Sequence, residues 1–117
     1  TVLARHLKKE TDLLSSQVLK HAYDERDEVG VKVMDRTARL LGAGLGSLVN
    51  LVGPERIILG GGVIEAMGSE FLERIDRATR KIAFEACARG LKIVKAELGD
   101  DSGVVGAALL AREAIGC

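Results

Sequence analysis

Neither sign of charge is in excess in this chain: lysine plus arginine and aspartate plus glutamate each number 17. No net electrostatic pull toward nucleic acid, a membrane surface or another polyanion follows from composition. Cysteine is nearly missing. Cys87 falls in a helical pattern and Cys117 ends the chain, a separation that matches neither zinc nor disulfide spacing, so a small buried side chain and a tail thiol in a reducing cytoplasm are expected. No apolar run reaches the length of a membrane span, and the opening TVLARHLKKETDL lacks the apolar core of a signal peptide. What is present, 47% hydrophobic and 29% charged residues, is an ordinary globular balance that argues against disorder. The 117 residues suffice for one domain or part of one, and with no initiator Met the expectation is a piece of a longer protein.

Periodicity gives the elements. Leu13, Leu14, Val18 and Ala22 recur at helical spacing from Thr11 to about Tyr23, with Thr11 or Asp12 as cap. A longer pattern from Asp27 to Val52 turns Val33, Met34, Leu41, Leu45, Leu48, Val49 and Val52 inward and Lys32, Asp35, Arg36 and Arg39 outward, before Pro54 closes it. Arg56 to Leu59 reads as a short buried strand. Ser69 or Glu70 is expected to open a third helix with Phe71, Ile75, Ala78, Ile82 and Ala86 on one stripe, ending near Gly90. A second strand follows in LKIVKAEL, Leu91 to Leu98. A last helix, capped by Asp101 or Ser102, carries Gly106, Ala107 and Ala108 as a smooth face. The fold class is thus α/β in the order α-α-β-α-β-α. A strand, helix, strand unit of this length implies a parallel pair with a right-handed crossover. Two parallel strands make a poor whole, since such sheets carry helices on both faces and further strands, which suggests that neighbouring strands lie elsewhere.

Two glycine clusters compete as ligand loops. In LLGAGLGSLVN, Gly42, Gly44 and Gly46 lack the preceding strand of a dinucleotide fingerprint, and Ser47 stands where its third glycine belongs. Small residues that let a helix pack closely are the better reading. In RIILGGGVIE, by contrast, Gly60, Gly61 and Gly62 leave the carboxyl end of a strand, where open α/β sheets place ligands. Without Cβ atoms they turn freely and let a ligand approach the backbone, at an entropic cost that makes an idle triplet improbable.

The stretches LVNLVGPERIILGGGVIEAMGSEFLERI and ELGDDSGVVGAALLA resemble the C-terminal part of the ROK family of repressors, open reading frames and sugar kinases, within the actin, sugar-kinase and Hsp70 superfamily. The likeness rests on three marks: an apolar helix ending in Asn50 and leading to Pro54-Glu55, a strand running into Leu59-Gly60-Gly61-Gly62, and Gly99-Asp100 followed by Gly106-Ala107. AYDERDEVGVKVMDRTARLLG is similar to the helix pair that precedes them. The resemblance implies a ribonuclease-H-like, actin-like ATPase core, of which residues 1–117 would be the C-terminal part of the second lobe, without the N-terminal lobe and the first strands of the second. It implies that Gly60, Gly61, Gly62 and Val63 contact the nucleotide, with ATP and its magnesium as cofactors and a homodimer as the assembly. Glucose-type hexose phosphorylation by Mg-ATP would be the activity of the longer protein, with the sugar reached through the missing lobe.

The family's phosphate-loop Asp-x-Gly-x-Thr, its Asn-Asp base pair, its Glu-His followed by Gly-His and its Cys-x-Cys-Gly zinc cluster are not found here. In the family all lie upstream, so a truncated start accounts for them, and the chain alone is expected not to turn over. No catalytic residue and no metal ligand is assigned. His6 and His21 are read as exposed helical histidines without a partner carboxylate at ligand spacing. Glu65 and Ser69 are candidates for ribose or adenine contacts, but a first-turn acid and a helix cap explain them equally. Asp100 and Asp101 read as a cap and a solvated charge, and Glu73, Arg74, Asp76, Arg77, Arg80 and Lys81 as a solvated helix face with ion pairs. The rival function is the ligand-sensing part of a ROK-family transcriptional repressor. A third, a small interaction module, would use an unpaired sheet edge.

Overall fold

The computed structural model describes residues 15–116. Helix α1, Ser16–Asp24, starts where the Ser15 side chain accepts a hydrogen bond from the Val18 amide at 3.3 Å. Thr11, Asp12, Leu13 and Leu14, with which the sequence reading began this helix, lie outside the described residues, as do His6 and Cys117. Arg26 takes a left-handed conformation, φ 56°, to turn the chain. Asp27 then caps α2, Glu28–Val52, accepting from the amides of Val29 and Gly30 at 3.0 and 3.2 Å. Two of the orphan donors at the helix start are satisfied in this way.

At 25 residues α2 is the longest element, and its contact with α3, Gly62–Ile82, dominates the packing. The side of α2 that faces inward is lined mainly by small residues: Gly30, Met34, Ala38, Gly42, Gly46 and Val49 are buried. A Cβ on Gly42 would stand 2.3 Å from that of Ala78, and one on Gly46 2.6 Å from that of Ile82. Gly42 and Gly46 of LLGAGLGSLVN are therefore a helix-packing surface, while Gly44 faces open space. This corrects the expected inward stripe, because Val33, Leu48 and Val52 are 46%, 46% and 66% exposed. Tyr23, Met34, Ala38, Ile64, Met67, Phe71 and Ile75 form the core, with Leu41, Leu45 and Leu59 packed against it.

Strands β1, Arg56–Leu59, and β2, Lys92–Lys95, pair in parallel with Arg56 opposite Lys92 and Leu59 opposite Lys95. The chain is thus a mostly helical α/β structure with a two-stranded parallel sheet. Gly53, φ 61°, ends α2 by donating its amide to the Val49 carbonyl, and Pro54 follows. Helix α3 starts earlier than Ser69: it opens at Gly62 and is kinked at Gly68, whose φ 72° and ψ −161° are not helical. It also ends before Gly90. Residues Ala83 and Phe84 are extended, and a one-turn helix α4, Glu85–Ala88, precedes β2, leaving Ala86 exposed. Cys87 is only partly buried. After β2 a 3-10 turn, Gly99–Asp101, leads into α5, Ser102–Ala114. Asp101 holds the cap position of α5 without a side-chain bond, while the Ser102 hydroxyl donates to the Gly99 carbonyl at 2.7 Å.

Helix α5 buries no residue, and Val104, Leu109 and Leu110 are 73%, 46% and 69% exposed. Ile58 on β1 is 64% exposed. With Val94 and Leu98 it lines an open hollow of about 450 Å³ on the sheet. No helix among the described residues is long and apolar enough to cross a membrane.

Candidate functional site

Because the strands are parallel, both loops that leave their carboxyl ends emerge at the same edge of the sheet. The Ala96 amide donates to the Leu59 carbonyl at 2.8 Å, so the ladder runs to the start of both loops. Gly60 follows immediately. A Cβ there would lie 3.1 Å from that of Ala96, tighter than ordinary contact, so glycine lets the two loops leave side by side. Gly61, φ 101° and ψ 165°, takes a conformation open to glycine, and nothing lies within 4 Å of its missing side chain. It holds the cap position of α3 with no side chain to offer, and its carbonyl receives the Glu65 amide at 3.0 Å. The first amides of α3 therefore meet no side-chain cap, and Gly60, Gly61, Gly62 and Val63 are all exposed. Such an end is a ready acceptor site for negative charge.

Around this turn the structure adds residues that the sequence reading did not join. Lys95, the last residue of β2, binds Glu65 Oε2 through its ammonium at 2.6 Å. Glu65 stands in the first turn of α3, where acidic side chains favour the helix dipole. Its other oxygen, Oε1, is buried and has no hydrogen-bond partner. Gly99, φ 52°, faces this carboxylate: a Cβ built on it would lie 3.9 Å from Glu65 Cδ. The Lys95–Glu65 ion pair thus ties the end of β2 to the start of α3, and Gly99 packs against the same carboxylate. The signal was faint in sequence, a lysine ending a strand and an acid five residues after Gly60. The side chains of Ser69 and of the exposed Asp100 and Asp101 form no hydrogen bond or ion pair with the turn, and Ser69 sits just beyond the Gly68 kink.

Asn50, one of the marks of the resemblance, is a structural bridge. Its amide nitrogen donates to the Ile82 carbonyl at 3.1 Å and its oxygen accepts from the Phe84 amide at 2.6 Å. Arg80 forms the expected helical ion pair with Asp76 but also donates to the carbonyls of Ala88 and Leu91 at 3.0 and 2.8 Å, which ties the face to the next segment. Arg74 likewise goes beyond its helical pair. It pairs with Asp35 and with Glu70 at 3.0 Å and lies 5.6 Å from the centre of the Tyr23 ring. Glu70 also accepts from the Tyr23 hydroxyl at 3.2 Å. The hydrogen bond from Arg74, then that from Tyr23, lowers the Glu70 pKa, whereas burial raises that of Tyr23.

His21 is exposed as expected, but a carboxylate partner is present: its Nε2 lies 3.1 Å from Glu25 Oε1, one helical turn away. Among the described residues no group of three or more His, Cys, Asp or Glu side chains is placed to hold a metal ion.

Known proteins share this architecture. A glucokinase from Halalkalibacterium halodurans is 33% identical over 101 residues, 86% of this chain and 30% of that protein. An N-acetyl-D-glucosamine kinase from Escherichia coli is 32% identical over 90 residues, 75% of this chain and 28% of the other. The chain thus spans less than a third of the length of these curated relatives. Among solved structures, a protein from Cytophaga hutchinsonii provisionally named a sugar kinase superposes with a TM-score of 0.72 at 26% identity, covering 93% of this chain and 38% of that one. A ROK family transcriptional regulator, a homologue of the E. coli MLC protein, gives 0.62 at 27% identity over 80% of this chain and 25% of its own. A family model described as ROK family matches residues 1–114, and this chain belongs to that family.

Proposed function

We propose that this chain forms the nucleotide side of the cleft of an ATP-dependent sugar kinase, as the C-terminal part of the second lobe of a ROK-type protein with an actin-like ATPase fold. One observation carries the reading: an exposed glycine turn leaves the carboxyl end of a parallel strand and opens onto a helix start that no side chain caps. Gly60, Gly61, Gly62 and Val63 are the proposed contacts of the adenosine nucleotide. The fit is one of backbone, since amides without Cβ atoms beside them can approach a ribose or phosphate closely.

ATP supplies the phosphoryl group, and magnesium travels with its phosphates; the described residues offer that ion no cluster of carboxylates. Transfer to a hexose hydroxyl rests largely on positioning and charge stabilisation. This chain's part is to hold the nucleotide in register, its amides fixed in advance by the β1–α3 junction. Sugar binding and removal of the hydroxyl proton belong to a lobe that these residues do not supply. The working protein is proposed to be a cytoplasmic homodimer.

The test is a coupled kinase assay on the native gene product with Mg-ATP and glucose or N-acetylglucosamine, repeated with Gly62→Val. A Cβ at Gly62 meets only the Ser16 hydroxyl, at an ordinary 3.6 Å, so the fold should tolerate a side chain there. Turnover with a raised KM for ATP in the variant is expected. Inactivity across a panel of sugars would favour the second reading, the ligand-sensing part of a transcriptional repressor, which the likeness to the ROK family regulator supports.

A further inference from the structure

Where the C-terminal half of α3 runs beside α2, beyond the Gly68 kink, the helix pair encloses an open groove of about 310 Å³. Its floor is methyl-sized, from Ala38, Ala43 and Ala78. Ile82, 46% exposed, is the one larger apolar side chain in the lining. Its walls are cationic: Arg39 on α2 faces Arg77 and Lys81 on α3, and Arg74 closes one end beside Asp35.

What marks this groove is the convergence of its charges. Several cations on the helices meet acids one turn away, as in Lys20–Asp24, Lys32–Glu28 and Arg80–Asp76, whereas Arg36 and Arg112 do not, but those two do not line the groove. Arg74 is likewise engaged, by Asp35 and Glu70. Arg39, Arg77 and Lys81 form no ion pair among the described residues. Arg77 and Lys81 are moreover four residues apart on one helix, a spacing at which like charges repel and cost helix stability. A chain with 17 basic and 17 acidic residues thus gathers three unmatched cations around one concavity. A bound dianion would relieve that repulsion.

We propose that this groove binds a phosphomonoester on a compact, sugar-sized body. The phosphate would meet Arg77, Lys81 and Arg39 through charge-assisted hydrogen bonds, with guanidinium groups able to grip two oxygens at once. The alanine floor would take the apolar face of a ring, and a volume of this size is at the lower end of that of small-ligand pockets. This inference stands on the groove alone and is independent of how the glycine turn is read.

The experiment is isothermal titration of the protein with glucose 6-phosphate, with glucose and inorganic phosphate as comparators. Saturable binding of the ester is expected, weakened at least tenfold in an Arg39→Gln/Arg77→Gln/Lys81→Gln variant and unchanged in Gly62→Val. All three cations are exposed, so the triple variant should fold, which its thermal unfolding would check. Absence of saturable binding at millimolar ester would overturn the proposal. So would equal binding by the triple variant, and inorganic phosphate binding as tightly as the ester would remove the sugar-sized body from it.

Discussion

Lys95 and Glu65 join the end of strand β2 to the first turn of helix α3, which the glycine turn opens, through a 2.6 Å ion pair. Their side chains are 44% and 26% exposed, so screening by solvent limits the pair's worth to about 1 kcal/mol. Its value to the site is geometric, fixing how far the two loops stand apart. A double-mutant cycle on Lys95→Met and Glu65→Gln, read by urea unfolding, should give a coupling energy of about 1 kcal/mol. Additivity of the two changes would mean that the pair positions nothing.

The three glycines of LLGAGLGSLVN should respond to alanine in opposite directions. At Gly42 a Cβ would collide with Ala78 and with the backbone of Thr79 at 2.9 Å, and at Gly46 it would meet the Thr79 carbonyl at 2.8 Å. Backbone cannot yield as a flexible side chain does. Gly42→Ala and Gly46→Ala are therefore expected to cost about 2 to 3 kcal/mol through overpacking. Gly44 has nothing within 4 Å of its missing side chain, and Gly44→Ala should stabilise the helix by about 1 kcal/mol. Urea midpoints that moved the same way for all three would refute close packing as the reason for the cluster.

This contrast also marks what the sequence made legible. Both strands, their parallel pairing and the course of α2 followed from alternation, spacing and breakers, which are local signals. The inward side of α2 did not. Large apolar side chains dominate any periodicity count, whereas α2 meets α3 at Gly42 and Gly46 and meets Ala22 of α1 at Gly30, residues whose value is their smallness. The start of α3 was hidden by Gly68, which breaks helical geometry without ending the element. At the candidate site the glycine turn was visible as a motif, but Lys95 was not, because an ion pair across a crossover exists only once β1 and β2 lie side by side.

Asn50 offers a test of whether a family mark is structural. It bonds both the Ile82 carbonyl and the Phe84 amide, replacing helix partners that α3 loses as it ends. Asn50→Ala should destabilise the protein by about 1 to 2 kcal/mol, two modest hydrogen bonds, and leave the KM for ATP in the native gene product unchanged. A changed KM with unaltered stability would place Asn50 at the nucleotide instead.

Acid should dissolve the Tyr23, Glu70 and Arg74 network before it unfolds the core. The Glu70 pKa is lowered in the folded chain, first by the hydrogen bond from Arg74 and then by that from Tyr23. A group held below its unfolded value contributes stability above that value and loses it as pH falls through the folded pKa. Glu70→Gln should therefore be less stable than the parent chain at pH 7, where the carboxylate is charged in both states. At a pH low enough to lie below the folded pKa, with the parent's Glu70 protonated, the difference should vanish. Urea unfolding of both proteins at the two pH values reads this directly, and a deficit that persisted in acid would mean that Glu70 acts through its shape and neutral hydrogen bonds and not through its charge.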